Sequence, residues 1–403
     1  MSKNKTLNTI FIVDSIGEHR GLHYHNFPLA SELCNLGLRV FILSTPETCV
    51  HELLPKNIKT KTIGIFKGIY GDKSKIVRGI NYLLSLIKLI YWAFKEKPQI
   101  IHFHFYQVPI MDLLAILFLK NFHFSIVTSV HDILPLQRRY EVNRFSASIF
   151  RLIYKLSDGL NVHSNYVYKI ILRSFQNLKD KVFMTNLGNY IIFQEAMENK
   201  FRLSQSEAKI CIGLNETDQI ILIFGTIKPN KRLDWVINSF KFVVDRNKYA
   251  RLIIVGSLQD RDVIKELQLT NELGLENNII FRIGKLSDEE LFYYLKSADI
   301  VIFPYEYIYQ SAGIIMAMTF GKPIITTYVG SNRELIQSGK TGLFSNMVEP
   351  MELAASIDYL LTNRDEAQNL GRMAYKYIKQ KHSWKSLAKK TLENYQMILL
   401  ADC

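Results

Sequence analysis

The stretch Ser311–Phe344 reads SAGIIMAMTFGKPIITTYVGSNRELIQSGKTGLF. Its apolar run from Ile314 to Phe320 suits a buried helix, and Gly321-Lys322-Pro323 stops it. Ile324 to Thr327 is short and β-branched, which suits a strand. The glycine turn Gly330-Ser331-Asn332 then leads into a second helix that carries Glu334. Strand–glycine–helix units leave backbone N–H groups free at a helix N-terminus, where a phosphate binds well.

Working outward, strand and helix signals alternate on both sides. Ile220–Phe224 is a strand, Leu233–Val244 a helix, Leu252–Val255 a strand ending at Gly256, and Val263–Leu273 a helix. Ile279–Phe281 and Val301–Phe303 are further strands with a helix over Leu291–Lys296 between them. Helices over Pro350–Leu361, Glu366–Lys381 and Trp384–Leu399 close the chain. The first half follows the same grammar. Its strand runs are Ile10–Val13, Val40–Leu43, Ile100–Phe103, Ser125–Val130, Leu160–Val162 and Val182–Met184. Phe27–Leu36 has helical spacing with Gly37 at its C-terminal cap, and Val108–Leu119 is an apolar segment between strands. Such alternation implies α/β architecture, a parallel sheet with helices on both faces, and ligands at the carboxyl ends of the strands. Asn186–Leu214 is mostly polar without a strong period. The domain reading is therefore residues 1–190, a linker over 191–215, a second domain over 216–382, and a C-terminal helix over 383–403 packing back toward the first domain.

A chain of 403 residues suits two such domains. Its 48% hydrophobic and 22% charged residues are those of a globular protein, not a disordered one. Four cysteines, Cys34, Cys49, Cys211 and Cys403, form no Cys-x-x-Cys pair, so neither a zinc site nor a disulfide framework is read. The basic N-terminus precedes an apolar run of only Ile10–Val13, too short for a signal core. No stretch reaches the ~20 uninterrupted apolar residues of a membrane span, Lys88 interrupting the longest, Ile80–Phe94. The expectation is a cytoplasmic protein. The net charge of +13 is lopsided: residues 1–190 hold 24 Lys and Arg against 12 Asp and Glu, the remainder 26 against 25. A cationic first half suits solubility alone, or attraction to an anionic membrane leaflet or lipid diphosphate, hence peripheral contact with an inner membrane face. Nucleic acid is not expected, because no recognition signature accompanies the charge.

The motifs resemble the retaining glycosyltransferases of family 4, which have the GT-B fold. The likeness runs from about Ile10 to the last helix. It implies two Rossmann-like domains with an inter-domain cleft and transfer of a sugar from a nucleotide-diphosphate donor, UDP- or GDP-linked. The acceptor it implies is a glycan or lipid-linked glycan, as in cell-surface polysaccharide synthesis. On this resemblance Phe224-Gly225-Thr226-Ile227 through Lys231-Arg232 is the strand-end loop of the donor side. Lys231 matches the lysine that holds the diphosphate, and Thr226 stands where an arginine is usual. The nucleotide base is expected near Ile283 and Gly284, and Gly330 to Glu334 matches the family's glycine–glutamate turn. Thr128-Ser129-Val130-His131-Asp132 resembles its Thr-x-His-Asp strand end, which makes His131 the candidate catalytic residue. His102 and His104 resemble its Val-His-x-His run and are read as structural or cleft-lining. The first glycine-containing loop, with Gly17, Gly21 and His25 and running through His19, is expected on the acceptor side. No metal or other cofactor is expected to be required.

One departure is plain. The family's two glutamates, eight apart, fall at Ile308 and Met316, neither acidic. The chain offers Gln310-Ser311-Ala312-Gly313 instead, small residues that would let a diphosphate approach a helix N-terminus. Donor binding could otherwise have decayed, leaving a catalytically silent partner subunit. A sugar-nucleotide epimerase of the same fold is a further alternative, whereas the absence of Gly-x-Gly-x-x-Gly disfavours a dinucleotide enzyme. Lys75–Phe94 carries the polar positions Arg78, Asn81, Ser85 and Lys88 as one narrow stripe on an otherwise apolar helix. That pattern fits either a helix packed between sheet and neighbours or one lying against lipid.

Overall fold

Strand residues such as Ile10–Val13, Ile100–Phe103 and Ile220–Phe224 are buried at every position. Both faces of a parallel sheet are covered, so its strands read as continuous apolar runs. The computed structural model describes residues 7–17, 21–53, 59–104, 106–131 and 144–401. It divides into two compact units, Met1–Gly188 with Trp384–Cys403, and Asn189–Ser383.

In the first unit the strands are β1 (Thr9–Val13), β2 (Arg39–Ser44), β3 (Thr60–Gly64), β4 (Ile100–Phe103), β5 (Ser125–Val130), β6 (Gly159–Val162) and β7 (Val182–Met184). They form one parallel sheet in the order β3-β2-β1-β4-β5-β6-β7. The helices are α1 (His23–Asn35), α2 (Lys75–Glu96), α3 (Pro109–Asn121), α4 (Arg144–Leu156) and α5 (Asn165–Ser174). The strand order reverses between β1 and β4, so their following loops diverge and open a crevice at the carboxyl ends. β3 escaped the sequence reading because it is a half-exposed edge strand, TKTIG, with little apolar content.

The second unit begins with α6 (Ile191–Phe201) and α7 (Gln205–Cys211). It continues through β8 (Gln219–Phe224), α8 (Leu233–Arg246), β9 (Ala250–Gly256), α9 (Ile264–Glu272), β10 (Ile279–Ile283) and α10 (Asp288–Ser297). Then come β11 (Ile300–Phe303), α11 (Ala312–Thr319), β12 (Ile324–Thr326), α12 (Asn332–Leu335), β13 (Leu343–Phe344), α13 (Pro350–Thr362) and α14 (Arg364–Lys381). Its sheet is also parallel, ordered β10-β9-β8-β11-β12-β13, with the reversal between β8 and β11.

Residues 191–215, expected as a linker, are instead part of the second unit. Phe193 and Met197 of α6 are buried, and the Phe193 ring lies 6.0 Å from that of Phe320. Ser204 and Glu207 cap α7 reciprocally. Gln205 donates to the carbonyls of Ser297 and Ala298, each at 3.1 Å, and Lys209 donates to Asp218 O at 2.6 Å. The segment is polar because its polar groups have fixed partners, not because it is loose.

The last helix, α15 (Trp384–Ala401), belongs to the first unit and buries Trp384, Leu387, Tyr395, Ile398 and Leu399 with the cores of β1, β2 and α1. Two glycines make room for it. A Cβ on Gly188 would lie 2.2 Å from the Trp384 ring, and one on Gly159 would lie 2.5 Å from Ile398 Cδ1.

Candidate functional site

In the second unit, β8 delivers Gly225 and Thr226 to the carboxyl edge at the point where the strand order reverses. The loop turns so that Lys231 folds back beneath it, 4% exposed. Its ammonium donates to Phe224 O at 2.6 Å, and its backbone pairs with Tyr305 after β11. Burial, with Lys228 adding a smaller repulsion, pulls the Lys231 amine down to about 7. A buried amine with one neutral acceptor is poorly solvated as a cation, so an arriving anion would be strongly favoured there.

Tyr305 links this lysine to the start of α11. Its hydroxyl lies 3.1 Å from Ser311 Oγ, and Ser311 caps the helix by accepting from Ile314 N at 3.2 Å. The N–H groups of Ala312 and Gly313 have no intrahelical partner by helix geometry, and Ala312 is exposed. Gly313 lies over the Phe303 ring, 2.9 Å from where a Cβ would stand. The second turn is closer still. Gly330 has φ +52°, and a Cβ there would lie 1.7 Å from Ile308 O, so this loop touches backbone that only glycine permits. Beyond it, Asn332 Nδ2 donates to Thr326 Oγ1 at 3.0 Å, while Ser331 Oγ and Asn332 Oδ1 are buried without a partner among the described residues. Buried orphan oxygens mark a place where a bound molecule's polar groups fit.

The structure therefore brings Gly225, Lys231, Ser311, Ala312 and Gly313 to one strand-end region, with Gly330 packed on the Ile308 loop beside it. Thr226 is half-buried at the loop start. Ile283 and Gly284 end β10, and Gly284 N donates to Gly256 O at 3.1 Å, so the same edge continues from β8 through β9. Gln310 is half-buried and precedes the cap. Glu334 lies on α12, which has only 4 residues. A helix that short carries little macrodipole, so the N-terminus of α11, with 8 residues, is the sturdier of the two. Met316 is packed into the core and Ile308 serves through its backbone.

In the first unit the loop after β1 is built around Asp14. It is fully buried and accepts from Ile16 N and Gly17 N at 2.9 Å and from Asn26 Nδ2 at 2.8 Å. Burial raises its carboxyl to about 6 in spite of those bonds. Gly17, φ +57°, has no room for a side chain, since Thr48 Oγ1 stands 2.3 Å from the position of a Cβ. Gly21 turns the chain into α1, and His25 sits half-buried one turn in. His19, His131's neighbour Asp132 and the rest of 18–20 and 132–143 lie outside the described residues.

His25 belongs to a cluster at the strand ends. Its ring centroid is 5.4 Å from His104, 5.7 Å from His163 and 5.0 Å from Trp384. His131, half-buried after β5, stacks on His163 at 4.8 Å and lies 6.4 Å from His104. His163 follows β6, and its Nδ1 donates to Thr185 O at 2.7 Å. That bond places the proton on Nδ1 and leaves Nε2 as an acceptor, buried without a partner among the described residues. Neither ring nitrogen of the buried His104 has a partner there either. Desolvation, reinforced by mutual repulsion, holds His25, His104 and His131 well below the usual imidazole range; desolvation, partly offset by the bond to Thr185, lowers His163 to about 4. All are neutral at pH 7, so the cluster offers a proton acceptor or hydrogen-bonding groups, not a positive charge. His102 is structural: Nδ1 meets the Tyr395 hydroxyl of α15 at 2.7 Å and Nε2 meets Ser129 Oγ at 3.0 Å. Sequence reading missed His163, Asp14 and Asn26. The position of His163 just past the strand run Leu160–Val162 was the available signal.

Comparison with known proteins bears on this geometry. The family model for glycosyl transferases group 1 matches residues 204–377, and that for Glycosyltransferase Family 4 matches residues 20–184. The chain belongs to the glycosyltransferases of GT-B fold. It is 27% identical over 190 residues to an uncharacterized glycosyltransferase of Methanocaldococcus jannaschii, a match covering 47% of either chain, so it spans about half of that relative. It is 24% identical over 311 residues to the capsular polysaccharide biosynthesis glycosyltransferase CapM of Staphylococcus aureus, covering 75% of this chain and 77% of CapM. The crystal structure of Anabaena HepE in complex with UDP-glucose superposes with a TM-score of 0.74 at 16% identity, covering 98% of this chain and 100% of HepE. At that identity the likeness is one of fold. This GT-B chain has its two parallel sheets and both strand-order reversals where the sequence alternation expected α/β units.

Proposed function

We propose that this glycosyltransferase moves a sugar, with retention of anomeric configuration, from a UDP- or GDP-linked donor to a glycan or lipid-linked glycan acceptor, and that it acts in cell-surface polysaccharide synthesis. The observation that carries the donor reading is Lys231, a buried amine at the carboxyl end of β8 whose hydrogen-bond acceptor among the described residues is the Phe224 carbonyl. On donor binding it takes a proton and pairs with the diphosphate. Together with the N–H groups of Ala312 and Gly313 it stabilises the charge that grows on the leaving group. The name of CapM supports the polysaccharide reading, and the UDP-glucose bound to HepE supports a uridine donor. Retention rests on the family resemblance. His131, with His25 and the glycines Gly17 and Gly21 of the first unit, is assigned to the acceptor hydroxyl.

Thermal unfolding with UDP, GDP, ADP and CMP tests the reading. A nucleoside diphosphate at a hundred times its dissociation constant adds ~2.7 kcal/mol, and Lys231→Ala is expected to abolish the shift. Release of free sugar from the matching donor, its anomer followed by proton NMR, tests retention. A silent partner subunit is the second reading, favoured by the absence of carboxylates at Ile308 and Met316. A chain that no nucleotide stabilises would establish that reading instead.

A further inference from the structure

Half of the polar stripe of α2 faces protein, not solvent. Asn81 and Ser85 make up that half: Asn81 Nδ2 donates to Gly68 O at 2.8 Å, and Ser85 is buried with its Oγ donating to Asn81 O of the same helix at 2.7 Å. Tyr82, Leu86, Leu89 and Ala93 are buried beside them. Outside lie Lys75, Lys88 and Lys95 and a broad apolar surface. Ile80, Leu84, Ile87, Tyr91 and Phe94 form one helical stripe, with Leu84 49% and Ile87 54% exposed. The neighbouring α3 adds a parallel stripe of Ile110, Leu114, Leu117 and Phe118, with Leu114 60% exposed. Phe94 joins the two, its ring 6.3 Å from Phe118 and 4.9 Å from Phe122. Single exposed apolar side chains are ordinary, but two adjoining stripes are not.

Charge indicates what covers this face. Residues 67–124 hold eight Lys and Arg against three Asp and Glu. Of those three acids, Glu96 is paired with Arg39 at 2.9 Å, and Asp112 is buried, accepting from Tyr82 and from Val108 N. Lys75, Lys88 and Lys95 are exposed along α2, and the Lys95 amine lies 4.5 Å over the Trp92 ring. A second copy docked face to face would bring cations against cations. An anionic bilayer supplies an apolar interior for the stripes and negative headgroups for the rim, with Tyr91 and Trp92 suited to the boundary. By length and composition alone α2 could cross a membrane. Its buried face is committed to the first unit, so it lies along the surface instead.

We propose that α2 and α3 form an interfacial docking surface that seats the first unit on an anionic phospholipid bilayer. The inference stands apart from the donor reading, and its test needs neither donor nor acceptor. The full chain is sedimented with phosphatidylcholine vesicles, with and without phosphatidylglycerol, at low and high salt. Wild type is expected to bind the anionic vesicles at least about tenfold better than the neutral ones, with the preference lost at high salt. Leu84→Glu with Ile87→Glu, two exposed sites, is expected to keep the unfolding midpoint and to lower binding at least about tenfold. Lys88→Glu with Lys95→Glu is expected to erase the preference for anionic lipid and nothing else. Three results overturn the proposal. Wild type binds neither vesicle; the apolar double substitution leaves binding unchanged; or wild type sediments as a dimer that this substitution splits, without vesicle binding, which would make a second copy the occupant.

Discussion

Replacing Lys231 by methionine should make the apoprotein more stable and unable to bind nucleotide. Methionine matches the length of the stem but carries no charge. The amine is held at about 7 in the fold against an ordinary 10.5, chiefly by burial. A lysine with a lowered folded pKa is protonated more readily in the unfolded chain. The fold is therefore penalised as pH falls from about 10.5 to about 7, and by a constant amount below that. A shift of this size corresponds to ~5 kcal/mol at pH 7. Methionine removes the penalty but leaves Phe224 O without its 2.6 Å donor, which costs ~1–3 kcal/mol. The net gain is ~2–4 kcal/mol, or roughly 5–10 °C in the transition of the second unit. Thermal unfolding at pH 7 and pH 10 measures it, and the gain should shrink at the higher pH. Calorimetry of UDP or GDP binding in buffers of different ionisation enthalpy gives the companion result. Wild type should take up a fraction of a proton above pH 7, as the diphosphate stabilises the ammonium. A Lys231→Met protein that melts lower at pH 7 and binds nucleotide as wild type does would refute both the electrostatic argument and the donor assignment.

Three further outcomes follow from the same structure. Gly330→Ala places a Cβ against Ile308 O at a left-handed backbone position, and should destabilise the second unit by on the order of 3 kcal/mol in denaturant titration while weakening nucleotide binding. Gly159→Val pushes on Ile398 of α15, and is expected to lower the first unit's midpoint and to expose residues after Trp384 to protease, which Gly213→Ala, with open space around it, would not do. Acidification should destabilise the first unit. His102 and His163, held at about 3 and about 4, stay neutral while the unfolded chain protonates below ~6.5, each losing ~1.4 kcal/mol per pH unit. Asp14 and Asp112, raised to about 6 and about 7, act in the opposite sense over that range, but five depressed imidazoles outweigh two carboxyls. Stability that is flat or rising from pH 6.5 to pH 5 would contradict this.

What the sequence disclosed and what it withheld divide along one physical line. Strands buried on both faces are written as uninterrupted apolar runs, and glycines in forced conformations are written as themselves, so both parallel sheets and the Gly225, Gly330 and Gly17 turns were legible. Groups whose meaning depends on distant partners were not. Lys209 looks like a linker lysine until Asp218 O and Asp299 are placed beside it, which is why residues 191–215 read as a tether. His163 is one histidine after one strand until His25, His104 and His131 are drawn around it by three other segments. The polar stripe of α2 left two readings open for the same reason. A helical pattern shows that polar and apolar residues lie on different faces, but which face meets water is decided by what else the helix touches. Here Gly68 O accepts from Asn81 and Ser85 is buried, so half of the polar stripe turns inward while Lys88 stays exposed. The pattern of this helix alone fits packing between layers or contact with lipid. A helix packed on all sides would have had no apolar residues left to expose, whereas Ile80, Leu84, Ile87 and Tyr91 of this one are exposed.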